Sequence, residues 1–283
     1  MVDRSSNWNQ IITSDRGWFN FDFSALWDYR DLIYYLTRRD LVSQYKQTVL
    51  GPIYFILTPI ISSLISMLIF GKIAKLSTDG IPQFLFYLSG SLFWSYFSTC
   101  LGAGKSVFQS NVNLFSQVYF PRLCIPISNN ISALFKLLIQ FIIFTLIYLF
   151  FLSKGEELNP SLSIVLIPLF LLQCSLLGLG TGVLISSFTA RYRDLKFVYS
   201  FIVQLWMYIS PVVYPLSAIP EKWHNVASYN PMVGIIETAR YSIFGVGLFN
   251  YQYIINGLIT TLILLLIGLL TFNKVEKTFL DTI

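Results

Sequence analysis

The sequence predicts an all-α integral membrane protein that crosses the bilayer six times. Three observations carry this. Of 283 residues, 55% are hydrophobic and only 12% are charged, whereas soluble domains carry about a quarter charged residues. The mean hydropathy of +0.64 implies more apolar surface than a water-soluble core could hide. The apolar residues also gather into six stretches near the roughly 20 residues a helix needs to cross the hydrocarbon layer. These are residues 50–70, 84–101, 131–152, 162–188, 197–213 and 253–272, the fifth being short and running into Pro211.

The order of elements follows from what lies between the spans. Residues 1–48 read as a cytoplasmic tail and an interfacial helix, and residues 49–283 as the six-helix domain. The first twenty or so residues are polar and lack the pattern of a signal peptide. Next comes FDFSALWDYRDLIYYLTRRDLVSQYK. At 100° per residue, Leu26, Tyr29, Leu32, Ile33 and Leu36 share one side, with Asp28, Asp31, Arg38 and Arg39 opposite. That pattern predicts an amphipathic helix in the membrane interface, acting either as an anchor or as a surface for a cytoplasmic partner.

The basic residues orient the chain. With the N-terminus inside, the cytoplasmic segments carry Arg4, Arg16, Arg30, Arg38, Arg39, Lys46, Lys105, Arg122, Arg191, Arg193, Lys196, Lys274 and Lys277. The outer segments carry only Lys72, Lys75, Lys154, Lys222 and Arg240. This asymmetry places both termini in the cytoplasm. Lys136 is expected near the start of the third span, snorkelling to the interface.

On the outer side, Asn230 followed by Pro231 is a helix start, because proline's missing N–H costs nothing in the first turn. The helix should run through Ile243 and stop near Gly245, with Glu237 and Arg240 spaced to pair. Too short to cross and too apolar for a free loop, this segment reads as a re-entrant hairpin between spans five and six, serving packing or gating. Between spans two and three, Pro121 and Pro126 punctuate a cytoplasmic segment whose residues 111–119 could form one short helix.

Chemistry in the spans is sparse. Thr99–Gln109, TCLGAGKSVFQ, looks like a phosphate-binding loop, but the glycine required five residues before Gly104 is replaced by Thr99. Gly102 and Gly104 fit close helix packing or a local break, and Lys105 sits at the cytoplasmic edge. Cys100, Cys124 and Cys174 form no CxxC pair and read as small core residues. His224 stands without a His or Cys cluster, so no metal site is expected. No HExxH, GxSxG or intramembrane carboxylate pair points to an enzyme or a proton relay. Tyr54, Phe86, Tyr87, Phe93, Trp94, Phe97, Trp206 and Tyr208 either pack between helices and sit in interfacial belts, or offer faces that stack on sugar rings.

Several segments together resemble a known family. RRDLVSQYKQTVLGPIY leads into a span containing Pro59, VYFPRLCIPIS follows span two, and TARYRDLKFV follows span four. SPVVYPLSAIP and YNPMVGIIETARY then occupy the outer side. From about Leu26 to Lys277 the chain resembles the membrane (permease) subunits of ABC-2-type polysaccharide exporters, most of all those of lipid-linked O-antigen (lipopolysaccharide). Capsule and teichoic acid exporters stand near them. The resemblance implies a homodimer in a bacterial inner membrane, bound to two copies of an ABC ATP-binding subunit that holds the ATP and magnesium. The chain itself then needs no cofactor, is not an enzyme, and does not bind nucleic acid. Asn111, Asn113, Phe115, Gln117, Tyr119 and Arg122 would couple to the ATPase. Asn230, Pro231, Glu237 and Arg240 would gate the exit, and the aromatics would line the path of an undecaprenyl-linked polymer. Arg38, Arg39 and Lys46 would meet the lipid pyrophosphate at the entrance, or lipid headgroups generally. Arg191, Arg193 and Asp194 match a family motif. An ABC-2 exporter of a drug or another lipid, and a membrane polymerase or acyltransferase, are the alternative readings.

Overall fold

The structure is a computed structural model. It describes residues 23–46, 51–105, 107–111, 120–192, 194–247 and 249–278, and among these every regular element is helical. In chain order the helices are α1 (Phe23–Asp28), α2 (Arg30–Lys46), α3 (Gly51–Ser66), α4 (Gln83–Lys105), α5 (Val107–Ser110), α6 (Cys124–Ser153), α7 (Ile167–Arg191), α8 (Leu195–Ile209), α9 (His224–Ser228), α10 (Pro231–Phe244) and α11 (Tyr251–Thr278). A π-helical turn at Met67–Ile73 extends α3, and a 3-10 turn at Leu162–Leu166 leads into α7.

Among the described residues, four helical stretches are long and apolar enough to cross a membrane: Phe55–Ile73, Cys124–Ser153, Leu162–Ala190 and Tyr251–Glu276. The two other expected spans differ from these for physical reasons. α4 has 23 residues, but Ser89, Ser91, Ser95, Ser98 and Thr99 lower its apolar character. It tolerates them because protein surrounds it and because Ser89, Ser91 and Thr99 donate to the Phe86, Leu88 and Ser95 carbonyls of their own helix. α8 has 15 residues, about 22 Å at 1.5 Å per residue, and ends at Ile209, with Ser210 extended beyond it.

Helices at the centre meet backbone to backbone. A Cβ on Gly104 of α4 would lie 2.8 Å from the Gly182 Cα of α7, and one on Gly182 would lie 2.7 Å from the Leu101 carbonyl oxygen. Gly180 faces the other way, where a Cβ would lie 2.6 Å from Leu265 Cα on α11. Small residues on two faces of α7 thus let it pack tightly between α4 and α11. Apolar solvent supplies no hydrophobic drive between helices, so such close packing must hold them together. Gly104 therefore serves helix contact rather than phosphate binding. Gly102 faces open space.

Pro59 interrupts α3, since it has no N–H for the Phe55 carbonyl. The Gln140 amide of α6 donates to that carbonyl at 2.8 Å, and Ser63 binds both the Pro59 carbonyl (2.6 Å) and Ser91 of α4 (2.9 Å). The broken main chain is thus satisfied by neighbouring helices, as a membrane interior requires.

The expected amphipathic arm is observed as α1–α2. Its apolar face covers protein: Leu36 is buried, and Leu26, Tyr29, Leu32 and Ile33 pack on a cluster containing Val107, Phe108, Cys124, Val183 and Phe272. Thr37 and Ser132 link α2 to α6 through a 3.5 Å hydrogen bond to the Thr37 carbonyl. Asp28, Asp31, Arg38 and Arg39 are exposed, as the periodicity predicts.

α6 starts at Cys124, earlier than expected, because Pro126 is tolerated within a first turn whose N–H groups lack helical partners anyway. Lys136 lies twelve residues into α6, about 18 Å from the helix start, with its ammonium 4.9 Å from the Phe55 ring centre.

Gly182→Leu should abolish the folded, monodisperse peak in size-exclusion chromatography of the detergent-solubilised chain, because overpacking at backbone contact cannot relax. Gly102→Leu should leave it unchanged.

Candidate functional site

The densest polar constellation is centred on α10. Asn230 caps this helix, its side chain accepting from the Met232 N–H at 3.1 Å. Pro231 opens it, and Gly245 ends it at φ 72°, a left-handed conformation suited to glycine. The expected start, stop and Glu237–Arg240 pair are all present. Every residue of α10 except Tyr241 is buried, so this short helix is enclosed by its neighbours.

Arg240 is 2% exposed and joins three segments. Its guanidinium donates to Glu237 Oε1 at 3.0 Å and to the Pro211 and Val212 carbonyls at 2.6 and 2.9 Å. Toward α4 it lies 3.4 Å from both the Ser89 hydroxyl and the Phe86 carbonyl, with its carbon 3.7 Å from the Phe86 ring centre. Gly90 makes room, since a Cβ there would lie 2.6 Å from Arg240 Nη2. Burial pushes the Glu237 carboxyl up, while the Arg240 guanidinium pulls it back.

Asn230 connects this node to α8. Its Oδ1 accepts from Trp206 Nε1 at 3.0 Å and its Nδ2 donates to Ser210 Oγ at 3.1 Å. The C-terminal end of α10 is held to α6 by the Tyr148 hydroxyl, 3.2 Å from the Ile243 carbonyl. Ser217, before α9, lies 2.8 Å from both carboxylate oxygens of Asp79.

At the arm end, Lys105 lies over the Tyr199 ring of α8 at 4.4 Å. Of the residues expected to couple to an ATPase, Asn111 bonds back to the Val107 carbonyl at 3.0 Å. Asn113, Phe115, Gln117 and Tyr119 lie outside the described residues. The Arg122 guanidinium is buried and donates to the Glu276 carbonyl at 3.0 Å, with the Glu276 carboxylate 3.8 Å away. It fastens the start of α6 to the end of α11, because a buried guanidinium needs acceptors close by.

The aromatics divide. Phe86, Tyr87, Phe93, Trp94 and Phe97 are buried in the core between the helices. Phe93 meets Phe141 edge to face, and Phe97 meets Trp206. Tyr208 is exposed and Trp206 half-buried. The side chain of Tyr54 lies outside the described residues, as do those of Arg191, Arg193 and Lys46. Arg38 is exposed, and Arg39 pairs with Asp40 at 2.9 Å on the surface, where such pairs contribute little. Among the described residues no group of three His, Cys, Asp or Glu is placed to hold a metal.

Gly90, Trp206 and Gln140 were not anticipated as structural partners. Gln140 carried a signal, being an amide in an otherwise apolar span opposite a chain interrupted by proline.

The profile of the family described as ABC-2 type transporter matches residues 31–244. The chain belongs to this family. As an ABC-2 protein it has curated relatives over most of its length. An O-antigen export system permease protein RfbA of Klebsiella pneumoniae is 30% identical over 253 residues, covering 89% of this chain and 94% of that protein. The protein of the same name from Myxococcus xanthus is 28% identical over 221 residues, or 77% and 82%. The polysialic acid transport protein KpsM of Escherichia coli is 26% identical over 248 residues, or 86% and 93%. In this ABC-2 chain the Arg240 node falls near the end of the matched region, and the arm helix α2 near its start.

Arg240→Ala leaves the Glu237 carboxylate buried without its counter-charge, which costs about 3–5 kcal/mol. The detergent-solubilised variant should therefore unfold at a clearly lower temperature than wild type. Arg240→Met combined with Glu237→Gln should recover part of the loss.

Proposed function

We propose that the chain is the channel-forming subunit of an ATP-driven exporter of lipid-linked polysaccharide, of the O-antigen kind, in a bacterial inner membrane. The observation that carries this reading is similarity along nearly the whole chain to RfbA permeases and, more distantly, to KpsM. Those relatives' names specify different glycans, so the common cargo is a long polysaccharide.

In this reading α3 with its π turn, α4, α6, α7, α8 and α11 are the six spans, both termini are cytoplasmic, and α9–α10 form a re-entrant hairpin from the outer side. Two copies assemble with two ABC ATP-binding subunits. Support for an aromatic path now comes from α8, where Phe197, Phe201 and Tyr208 are exposed on one apolar face. Such rings stack on sugars without the fixed charges that would stall a sliding polymer. The interfacial helix α1–α2 and the segment from Asn111 to Arg122 are the parts of the chain offered to the ATP-binding subunit. Arg38, Arg39 and Lys46 are the candidates for the substrate's entrance.

Two measurements test this. The purified chain alone should hydrolyse no ATP, and turnover that survives Lys105→Ala would overturn the division of labour. Replacing residues 111–119 with a Gly/Ser linker should abolish ATP-binding subunit association or export without affecting membrane insertion. Normal export from that variant would remove the coupling role.

A further inference from the structure

A cavity of about 220 Å³ lies among α3, α4 and α6, lined by Phe55, Thr58, Ser95, Thr99, Lys136 and Gln140 among others. It has many times the roughly 10–15 Å³ that one water requires, yet it is too small for a sugar chain. It opens past Thr58, which is exposed, while Lys136 and Ser95 are half-buried. Hydroxyl, amide and ammonium groups from three helices make it a poor place for an acyl chain.

Lys136 is its only cation. It sits in a stretch apolar enough to cross a membrane, and none of the ion pairs among the described residues includes it. The Asp40 carboxylate of α2 is paired with Arg39 on the surface and not with Lys136. An ammonium in a membrane-spanning helix is costly and persists where it faces a partner. Beside it, the Gln140 amide uses one hydrogen on the Phe55 carbonyl and has a second, and the Ser95 hydroxyl adds another donor. The charge is positive, the donors cluster, and the space suits a small polyatomic anion. Lys136 lies one turn beyond Ser132, where α2 meets α6. If α2 marks the cytoplasmic interface, the cavity sits just beneath the headgroup layer. Basic pockets between membrane helices at that level take lipid headgroups.

We infer that this cavity binds the phosphoryl group of an anionic membrane lipid, with Lys136 as counter-charge and Ser95 and Gln140 as hydrogen-bond donors. The leaflet rests on the orientation proposed above; the phosphoryl chemistry does not. The lipid is either a resident phospholipid or a prenyl diphosphate carrying cargo, which present the same chemistry at the site.

The test is a thermal-unfolding titration of the full chain in neutral detergent with phosphatidylglycerol, with farnesyl diphosphate, and with zwitterionic phosphatidylcholine as reference. Wild type should be stabilised by an anionic probe beyond the phosphatidylcholine level. The titration midpoint should be roughly tenfold to a hundredfold higher for Lys136→Met, the loss expected for a hydrogen bond to a charged group. Lys136→Arg should stay close to wild type, and Ser95→Ala should fall between. A lower midpoint for farnesyl diphosphate assigns the site to carrier lipid, and a lower one for phosphatidylglycerol to resident lipid. Equal midpoints for wild type and Lys136→Met, or no preference over phosphatidylcholine, overturn the site. If Lys136→Met does not fold, Lys136→Gln and Ser95→Ala carry the comparison, and wild-type midpoints in both overturn it. Neither ATPase nor export enters the measurement, so failure here counts against the cavity and leaves the exporter reading to its own tests.

Discussion

A guanidinium enclosed by helices must find its acceptors in the protein, and Arg240 finds them on α4, on the chain after α8 and on its own helix. That requirement fixes how α10 sits. The helix cannot turn about its axis without stranding a charge, nor withdraw without exposing the Pro211 and Val212 carbonyls. Gly90 and Ser89 make sense only in this light, one giving space and the other an oxygen. Asn230 extends the same constraint to α8, since one amide both caps α10 and holds Trp206 and Ser210.

The same need to satisfy polar groups internally runs through the bundle. Pro59 leaves a carbonyl without its donor and Gln140 supplies one. The serines and threonine of α4 bond to carbonyls of their own helix. Where α7 meets α4 and α11, removal of side chains does what polar links do elsewhere, and the backbones come close enough for dispersion to hold them. Helix α10 is tied by charge, the kinked helix by an amide, and the centre by glycine.

Features set by local chemistry were legible in the sequence. Asn230-Pro231 and Gly245 bounded α10 to within a residue, the arm's periodicity separated Leu36 from Arg38, and the glycine spacing excluded a phosphate loop at Gly104. Features set by distant partners were not. Arg122 read as a cytoplasmic cation for coupling, and nothing local in the sequence shows that it donates to Glu276, 154 residues away. Phe86 and Phe93 carried the same aromatic signal as Tyr208, and only packing distinguishes a ring under a guanidinium from one facing outward. Pro126 does not delay the start of α6, because a first turn accommodates proline. α4 read as an ordinary span, and its polarity reveals instead a helix wrapped by others.

α8 is fastened to the bundle by polar contacts near both ends, Lys105 on Tyr199 at one and Asn230 on Trp206 at the other. Tyr199, Val203 and Trp206 rest against the core between these points. A helix this short is stiff, so a tilt imposed at Tyr199 swings Trp206 in the opposite sense about the middle contact. In mechanical terms α8 is a rocker with Val203 near its pivot. Its two arms are of nearly equal length, so it would pass on a displacement reversed in direction and little changed in size.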